Sequence, residues 1–236
     1  MPPNTKPAII IPAYREAKLI GRAIDLVKQT GIDAKIIVVV DGRVDETAEI
    51  ARSKRCEVVI LPRNFGKANA IYAGMKAAAR LEATAVVSLD ADMVAVPKKD
   101  LSEMIEKAEQ ATISRKIKMF IGGVVERDPE NPRKFIGLAH ENSGIRAFSM
   151  PALHRVISSK FKKQFTHYAI EGFFSILFKE WEIVKLKTNF RAEKPHRHAR
   201  SFEQYRQIDR AQARVIRNRR VDYRPDLTKR AAAKKR

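Results

Sequence analysis

Four short apolar runs, separated by segments with helical periodicity, constrain the fold of this chain more than any other feature. The runs are Ala8–Ile11, Lys35–Val40, Val58–Leu61 and Ala85–Leu89. Continuous runs of this kind are typical of strands buried on both faces of a parallel sheet. Strands that alternate with helices are typical of βαβ units. The sequence therefore predicts an α/β fold with helices flanking a mostly parallel sheet, and Pro12 is expected to stop the first strand.

Helices separate these strands, and less regular elements follow Val94. The first helix starts near Leu19 and is closed by Gly31, and two more are predicted at 47–53 and 67–81. Beyond Val94 the predicted elements are a helix at 101–111, a strand at 119–125, a loop at 128–132, a loop running into a short strand at 143–151, a helix at 168–181, an edge strand at 183–186, an irregular segment at 191–200 and a basic helix at 201–220. We expect one domain over 1–200, divided near residue 94, and a basic helix with a tail over 201–236.

The charge of the chain predicts an anionic partner. The 236 residues carry a net charge of +20, and 44% of them are hydrophobic, enough for an ordinary packed core. A charge of this size suits nucleic acid, an acidic membrane surface or a phosphorylated substrate. Residues 185–236 contain eighteen Lys or Arg against five Asp or Glu, so most of the excess lies in the last quarter.

Cysteine content and hydropathy indicate the compartment. The single cysteine, Cys56, excludes an internal disulfide and fits a reducing compartment. The first residues lack the apolar core of a signal peptide. No apolar run approaches the roughly 20 residues that span a bilayer. We therefore expect a cytoplasmic protein that is soluble or peripheral on a membrane.

Residues able to bind a ligand follow three of the four apolar strands. Tyr14 follows the first, Asp41 the second, and Asp90 and Asp92 the fourth. The carboxyl ends of parallel strands share one edge of a sheet, where open α/β proteins bind their ligands. Two carboxylates there suit Mg²⁺ or Mn²⁺ holding a diphosphate. The alternative for the Asp-x-Asp pair is an acidic turn after a buried strand.

The motifs in this half resemble those of a known enzyme family. They are Pro12-Ala13-Tyr14-Arg15-Glu16, Val39-Val40-Asp41-Gly42, Asn64-Phe65-Gly66-Lys67-Ala68 and Leu89-Asp90-Ala91-Asp92, in that order. Together they resemble the nucleotide-binding half of family-2 glycosyltransferases with a GT-A fold. The resemblance weakens through 143–148, Glu171 and the His196 region, where polyprenyl-phosphate glycosyltransferases are similar. It makes 1–94 the nucleotide-binding half and 95–200 the acceptor half.

The resemblance implies a hexosyltransferase that uses Mg²⁺ or Mn²⁺. The sugar would pass, with inversion, from a UDP- or GDP-linked donor to a polyprenyl phosphate or a glycan hydroxyl. The resemblance implies that Tyr14, with the backbone of Pro12 and Ala13, contacts the nucleobase, that Glu16 bonds the ribose or base, and that Asp41 reads the base edge. It also implies that Lys67 binds the diphosphate. Asp90, beside Ala91, would contact the ribose or a metal-bound water, and Asp92 would bind the metal. The chain departs from the family at Val40, where a first acid is usual, and at Arg43, where Ser is usual.

Simpler roles compete with these at several positions. Tyr14 would otherwise be a packing tyrosine. Glu16 would complement a helix dipole. Asp41 would belong to an Asp-Gly turn, and Lys67 to a solvated loop.

The same resemblance assigns the acceptor half. Glu171 is a lone acid on an apolar helix face, and it corresponds to the general base that would act with Asp92 in catalysis. A helix cap or an ion pair with Arg146, itself a candidate substrate ligand, is the alternative. A phosphate acceptor would need no base. His196 or His198 would add a metal ligand. The alternatives are a solvated histidine in a basic loop, or a segment in which Arg197 instead clamps the diphosphate.

The basic helix at 201–220 leaves three interpretations open. An anionic membrane surface would attract it, at about 1 kcal/mol per basic residue. It would otherwise pack on the domain with a solvated arginine face. Nucleic acid is disfavoured because no binding fingerprint accompanies the charge.

Two other functions compete with sugar transfer. A sugar nucleotidyltransferase would carry a Gly-rich basic loop where Pro12-Ala13-Tyr14 stands. A non-catalytic nucleic-acid-binding protein would act through the tail alone.

Overall fold

The fold is built on one mixed sheet whose strands and helices alternate along the chain. The computed structural model describes residues 5–127, 135–139, 144–159, 173–174 and 177–192. The elements are β1 (Ala8–Ala13), α1 (Ile20–Gln29), β2 (Lys35–Asp41), α2 (Thr47–Ser53), β3 (Glu57–Leu61), α3 (Lys67–Arg80), β4 (Ala85–Ser88), β5 (Met93–Ala95), α4 (Lys98–Ile113), β6 (Met119–Arg127), β7 (Phe135–Ala139), β8 (Arg146–Ser149), α5 (Met150–Ser158) and β9 (Ile183–Ala192).

The strand order places the first four strands side by side. It runs β3-β2-β1-β4-β8-β6-β9-β5, and β7 pairs with β6. β1 is parallel to both β2 and β4, and β2 is parallel to β3. The predicted parallel half is confirmed, so the carboxyl ends of β1 to β4 share one edge.

The second half of the sheet is joined through β8, which is antiparallel to both neighbours. Arg146, its first residue, lies opposite Ser88 of β4 and Ile121 of β6. β9 is parallel to β6 and antiparallel to β5, with Met93 opposite Ala192. The chain therefore leaves β9 beside the end of the Asp90–Asp92 segment.

Helices cover both faces of the sheet because its strands are apolar on both sides. α1, α2 and α4 pack on one face through residues such as Ile24, Ala48 and Met104. α3 and α5 pack on the other face through residues such as Ile71 and Leu153. The resulting three-layer α/β arrangement is the predicted fold class.

Pro12 does not stop the first strand, which continues to Ala13. The carbonyl of Ile10 accepts from the N–H of Leu89, so the polar groups of Ile10 face β4. The backbone polar groups of Pro12, two residues later, face the same side as those of Ile10, but the pairing between β1 and β4 stops at Ile10. Pro12 lacks an N–H, so it fits a strand that has lost this neighbour and still pairs with Val39.

Several predictions for the second half are wrong. β5 and β7 were not predicted from the sequence. The short strand predicted within 143–151 is confirmed as β8, but its predicted end is wrong because α5 begins at Met150. β9 is not an edge strand ending at Leu186; it extends to Ala192 between β6 and β5. Arg191, predicted to be irregular, belongs to this strand. Trp181 lies in a 3-10 turn, so the helix predicted to reach it ends earlier.

Other predictions fall outside the described residues. They concern the loop at 128–132, most of the helix at 168–181, the end of the segment at 191–200 and the basic helix at 201–220. Within the part of the chain that is described, no helix is both long and apolar enough to cross a membrane.

A partly buried ion pair ties α5 to the turn that precedes β9. Arg155 Nη1 lies 2.7 Å from Glu182 Oε2, which also accepts from the N–H of Lys179 at 2.8 Å. Burial alone would raise the pKa of Glu182, but the Lys179 hydrogen bond and the Arg155 guanidinium outweigh it and hold this pKa below its usual value. Ionised Glu182 is therefore favoured by the folded state.

We expect Glu182→Gln to lower the free energy of unfolding by about 1–3 kcal/mol at pH 7, because Arg155 loses a charged partner. The folded-state pKa is depressed, so this stability is present above the unfolded pKa of about 4.3 and is lost as pH falls through the folded value. Urea titrations of wild type and variant at pH 7 and pH 3 measure the difference. Glu106→Gln, at an exposed position of α4, is the control. An equal loss at both pH values would contradict the assignment.

Candidate active site

The predicted donor-site residues lie along the carboxyl edge that β1 to β4 share. Asp41 is the last residue of β2, and Tyr14 directly follows β1. Asp90 and Asp92 lie on the turn between β4 and β5, with Ala91 buried between them. The turn is fixed at both ends, because Leu89 bonds to β1 and Met93 pairs with β9.

Asp41 holds the loop that leads into α3. Its side chain is 2% exposed, and its two oxygens accept from the N–H groups of Phe65 and Gly66, each at 2.7 Å. Gly66, at φ +90°, also donates to Asn64 Oδ1. The carboxylate thereby fixes the residue before Lys67. Its role in reading the base stays a prediction.

Gly42 permits this close approach of two loops. Its φ is +95°, and a Cβ there would lie 2.9 Å from the backbone nitrogen of Asn64. A side chain would therefore be strained and would also push the 63–66 loop away from Asp41.

Lys67 and Asp90 form an ion pair at this edge. Lys67 Nζ lies 2.6 Å from Asp90 Oδ1, and the two side chains are 35% and 26% exposed. Lys67 is the first residue of α3, so its ammonium stands at a helix N-terminus, which favours anions. Lys67 was predicted to bind the diphosphate, and Asp90 to contact the ribose or a metal-bound water. In the structure these two side chains contact each other.

Gly144 forms a wall beside the Asp90 carboxylate. A Cβ on Gly144 would lie 2.1 and 2.2 Å from the two carboxylate oxygens. Its carbonyl accepts from Ser88 Oγ at 2.9 Å, which anchors the segment to β4. Asp90 therefore contacts both Gly144 and Lys67.

Arg146 places a buried positive charge next to this wall. It is 2% exposed, lies opposite Ser88, and its guanidinium is 5.6 Å from the ring centroid of Phe174. Charges are rarely buried in a core without an electrostatic purpose. This edge of the sheet thus combines acidic side chains with one partly exposed cation, Lys67, and one buried cation, Arg146.

The loop after β1 carries Tyr14 at the surface. Tyr14 is 37% exposed, and the Arg15 guanidinium lies 5.4 Å from its ring centroid. Arg15 has φ +57°, a left-handed conformation that costs energy outside glycine. Tyr14 is therefore available for stacking rather than packed in the core. Pro12 and Ala13 are buried strand residues beside it.

Asp45 braces this loop against the one after β2. Its oxygens accept from the N–H groups of Ala17 and Thr47, and Thr47 Oγ1 accepts from the N–H of Glu16. Burial acts to raise the pKa of Asp45, but hydrogen bonds from Thr47 and Ala17 outweigh it and keep this pKa below the usual value. The brace is therefore intact at neutral pH.

The donor set of Asp90 and Asp92 fits a hard divalent cation. Mg²⁺ is commonly bound through one or two carboxylates, with substrate phosphates and water completing the shell. Among the residues described, no group of three or more His, Cys, Asp or Glu forms a complete metal site. Phosphate oxygens or further ligands would therefore be required.

Four predicted residues lie outside the described part of the chain: Glu171, His196, Arg197 and His198. The structure places Asp41, Lys67, Asp90 and Asp92 at one edge of the sheet, and Arg146 begins the neighbouring strand β8 opposite Ser88. Sequence reasoning missed three supporting residues, Ser88, Asp45 and Thr47, whose hydroxyl and carboxyl groups brace loops. It also gave Gly144 no role, although the glycine stood inside a recognised segment.

Comparisons with known proteins identify the family of this chain. A model of glycosyl transferase family 2 matches residues 8–179. An uncharacterised protein of Methanocaldococcus jannaschii is 27% identical over 191 residues, covering 73% of this chain and 75% of that protein. The undecaprenyl-phosphate 4-deoxy-4-formamido-L-arabinose transferase of Edwardsiella ictaluri is 32% identical over 113 residues, or 44% of this chain. That match spans 34% of the transferase's length.

Solved structures show the same fold. Glucosyl-3-phosphoglycerate synthase of Mycobacterium tuberculosis, in complex with Mn²⁺, UDP-glucose and phosphoglyceric acid, matches with a TM-score of 0.64 and 17% identity, covering 90% of this chain and 80% of that one. Mannosyl-3-phosphoglycerate synthase of Rubrobacter xylanophilus matches with a TM-score of 0.66 and 16% identity, covering 94% and 78%. These similarities confirm the predicted GT-A fold.

The contact between Gly144 and Asp90 makes a prediction. Gly144→Ala forces the carboxylate to move, so we expect a loss of about 1–3 kcal/mol in the free energy of unfolding. The loss should fall below about 1 kcal/mol in an Asp90→Ala background, since the clashing group is then absent. Chemical denaturation of the four proteins measures this coupling.

Gly21→Ala is the matched control, because a Cβ there meets only side-chain atoms at ordinary or nearly ordinary distances, the flexible end of Lys54 at 3.3 Å and Ile50 Cγ2 at 3.5 Å. It should be neutral or stabilising, as expected inside a helix. Equal costs of Gly144→Ala with and without Asp90 would refute the assigned contact.

Proposed function

Because this chain belongs to glycosyl transferase family 2 and is therefore a glycosyltransferase, we propose that it moves a sugar from a UDP- or GDP-linked donor to a phosphate-bearing acceptor. The observation that carries the proposal is the meeting of Asp41, Lys67, Asp90 and Asp92 at one sheet edge. Tyr14, at the end of β1, would stack on the base, and Lys67, at the start of α3, would bind the diphosphate. Glu16, on the braced loop beside Tyr14, would bond the ribose or base.

A divalent metal held by Asp92, with Asp90 beside it, would supply charge stabilisation for the leaving nucleotide diphosphate. The two carboxylates fit Mg²⁺ or Mn²⁺, and a structurally similar synthase was solved with Mn²⁺ and UDP-glucose. The chain leaves β9 beside Met93, and His196 follows Ala192 by four residues, a reach of about 14 Å. His196 or His198 would thus complete the metal site, with Arg197 on the diphosphate.

The buried Arg146 supports a phosphate on the acceptor. A guanidinium suits phosphate through paired hydrogen bonds, and the family relatives include transferases named for undecaprenyl phosphate. A polyprenyl phosphate would place the enzyme, peripherally, at an anionic membrane. The basic segment at 201–236 suits that surface. A small soluble phosphate ester would give the same headgroup chemistry without the lipid, and a glycan hydroxyl would need a base.

Nucleotide binding tests the donor site. We expect the wild type to bind either UDP or GDP more tightly when Mn²⁺ is present, and Asp92→Asn to lose most of that metal dependence because the amide is a poor metal ligand. Isothermal titration calorimetry of both nucleotides, with and without Mn²⁺, measures the four affinities for each protein.

Asp33→Asn is the matched control, since Asp33 pairs with Lys6 at the opposite edge of the sheet. It should bind as the wild type does. Metal-independent binding in the wild type would remove Asp92 from its proposed role, and no binding of either nucleotide would refute the donor site.

Glu171 distinguishes the acceptor classes. With a polyprenyl phosphate or a soluble phosphate ester, Glu171→Gln should keep kcat within about tenfold of wild type, because an ionised phosphate needs no base. With a glycan hydroxyl, the loss should be about 10²–10⁴-fold. Transfer assays with radiolabelled donor and each acceptor in turn measure these rates. Activity that requires both Glu171 and a hydroxyl acceptor would refute the phosphate proposal.

A further inference from the structure

We propose that Lys67 is a built-in counter-ion of Asp90 that is exchanged for the metal when the nucleotide diphosphate binds. The ammonium would move from the carboxylate to the diphosphate, and the metal would take its place beside Asp90. This exchange rests on the proposed function and adds a coupling between the two ligands.

Asp90 is the fixed partner of the pair. Gly144 leaves no room on one side, where even a Cβ would come within 2.1 Å of the carboxylate. The bond from Ser88 Oγ to the Gly144 carbonyl holds this wall to β4. The carboxylate therefore keeps its place while its counter-ion changes.

Lys67 is the mobile partner. Its ammonium sits on a four-carbon chain, is 35% exposed and reaches Asp90 from the first residue of α3. The backbone behind it is fixed, because Asp41 binds the N–H groups of Phe65 and Gly66. Movement of the side chain alone is enough to transfer its charge to an anion at the helix N-terminus.

The two cations compete for one carboxylate. A metal ion at Asp90 would stand close to the ammonium, and like charges at that separation repel. A diphosphate alone would draw Lys67 away and leave Asp90 facing an anion. Both costs are relieved when metal and diphosphate bind together, so each ligand should strengthen the other reciprocally.

This exchange predicts opposite changes for the two ligands in Lys67→Met. Affinity for Mn²⁺ alone should rise about three- to tenfold, since Asp90 is released from its counter-ion, while metal-free affinity for UDP or GDP should fall by a similar factor. Electron paramagnetic resonance of free Mn²⁺ measures the first affinity, and calorimetry measures the second. Asp90→Asn should change the metal-free affinity for UDP or GDP in the opposite direction. This affinity should rise, because Lys67 is released from its partner and can bind the diphosphate.

Lys76→Met, which removes an exposed positive charge from the same helix, is the control and should leave both affinities unchanged. If the wild type binds nucleotide but Lys67→Met binds Mn²⁺ no more tightly, the exchange is wrong and the proposed function stands. If the wild type binds neither UDP nor GDP with Mn²⁺, the proposed function is wrong, and the exchange fails with it because no diphosphate draws Lys67 away.

Discussion

The parallel pairing of β1 with both β2 and β4 is the constraint on which the rest of the structure depends. Because three strands run in one direction, the residues that follow them arrive at the same edge regardless of their distance in sequence. Asp41 and Asp90 are separated by almost fifty residues, yet both help to hold the start of α3, one through Phe65 and Gly66 and the other through Lys67. Helices packed on both faces keep that edge in place.

The first half of the fold was predictable from the sequence because each local signal agreed with the tertiary structure. Fully buried strands such as β1 need continuous apolar residues, and such runs are easily identified in a sequence. In the second half the signals are weaker. β9 alternates between buried and exposed residues, from Leu186 and Thr188 on one face to Lys187 and Asn189 on the other. The sequence shows this two-residue period, but the charged residues within it are also typical of an exposed irregular segment.

The site was predictable in its residue types and only partly in its contacts. An acidic residue at the end of a strand indicates a position at the edge of the sheet, but the sequence does not show whether Asp41 faces a ligand or a neighbouring loop. In the structure it accepts two backbone N–H groups of its own chain. Gly144 shows a second limit, since a glycine whose role is to leave space for Asp90 carries no chemical signal of its own. Contacts between segments more than fifty residues apart are set by the sheet order.

Pro12 gives the sheet an opening at the place where the site needs one. Between β1 and β4 the chain connections diverge, since β2 lies on one side of β1 and β4 on the other. A residue with an N–H at position 12 could donate toward the β4 side of β1, and the ladder between β1 and β4 could then extend past Ile10. Proline removes that donor. The crevice at this divergence, the usual ligand position in open α/β sheets, is thereby protected from being closed by further strand pairing.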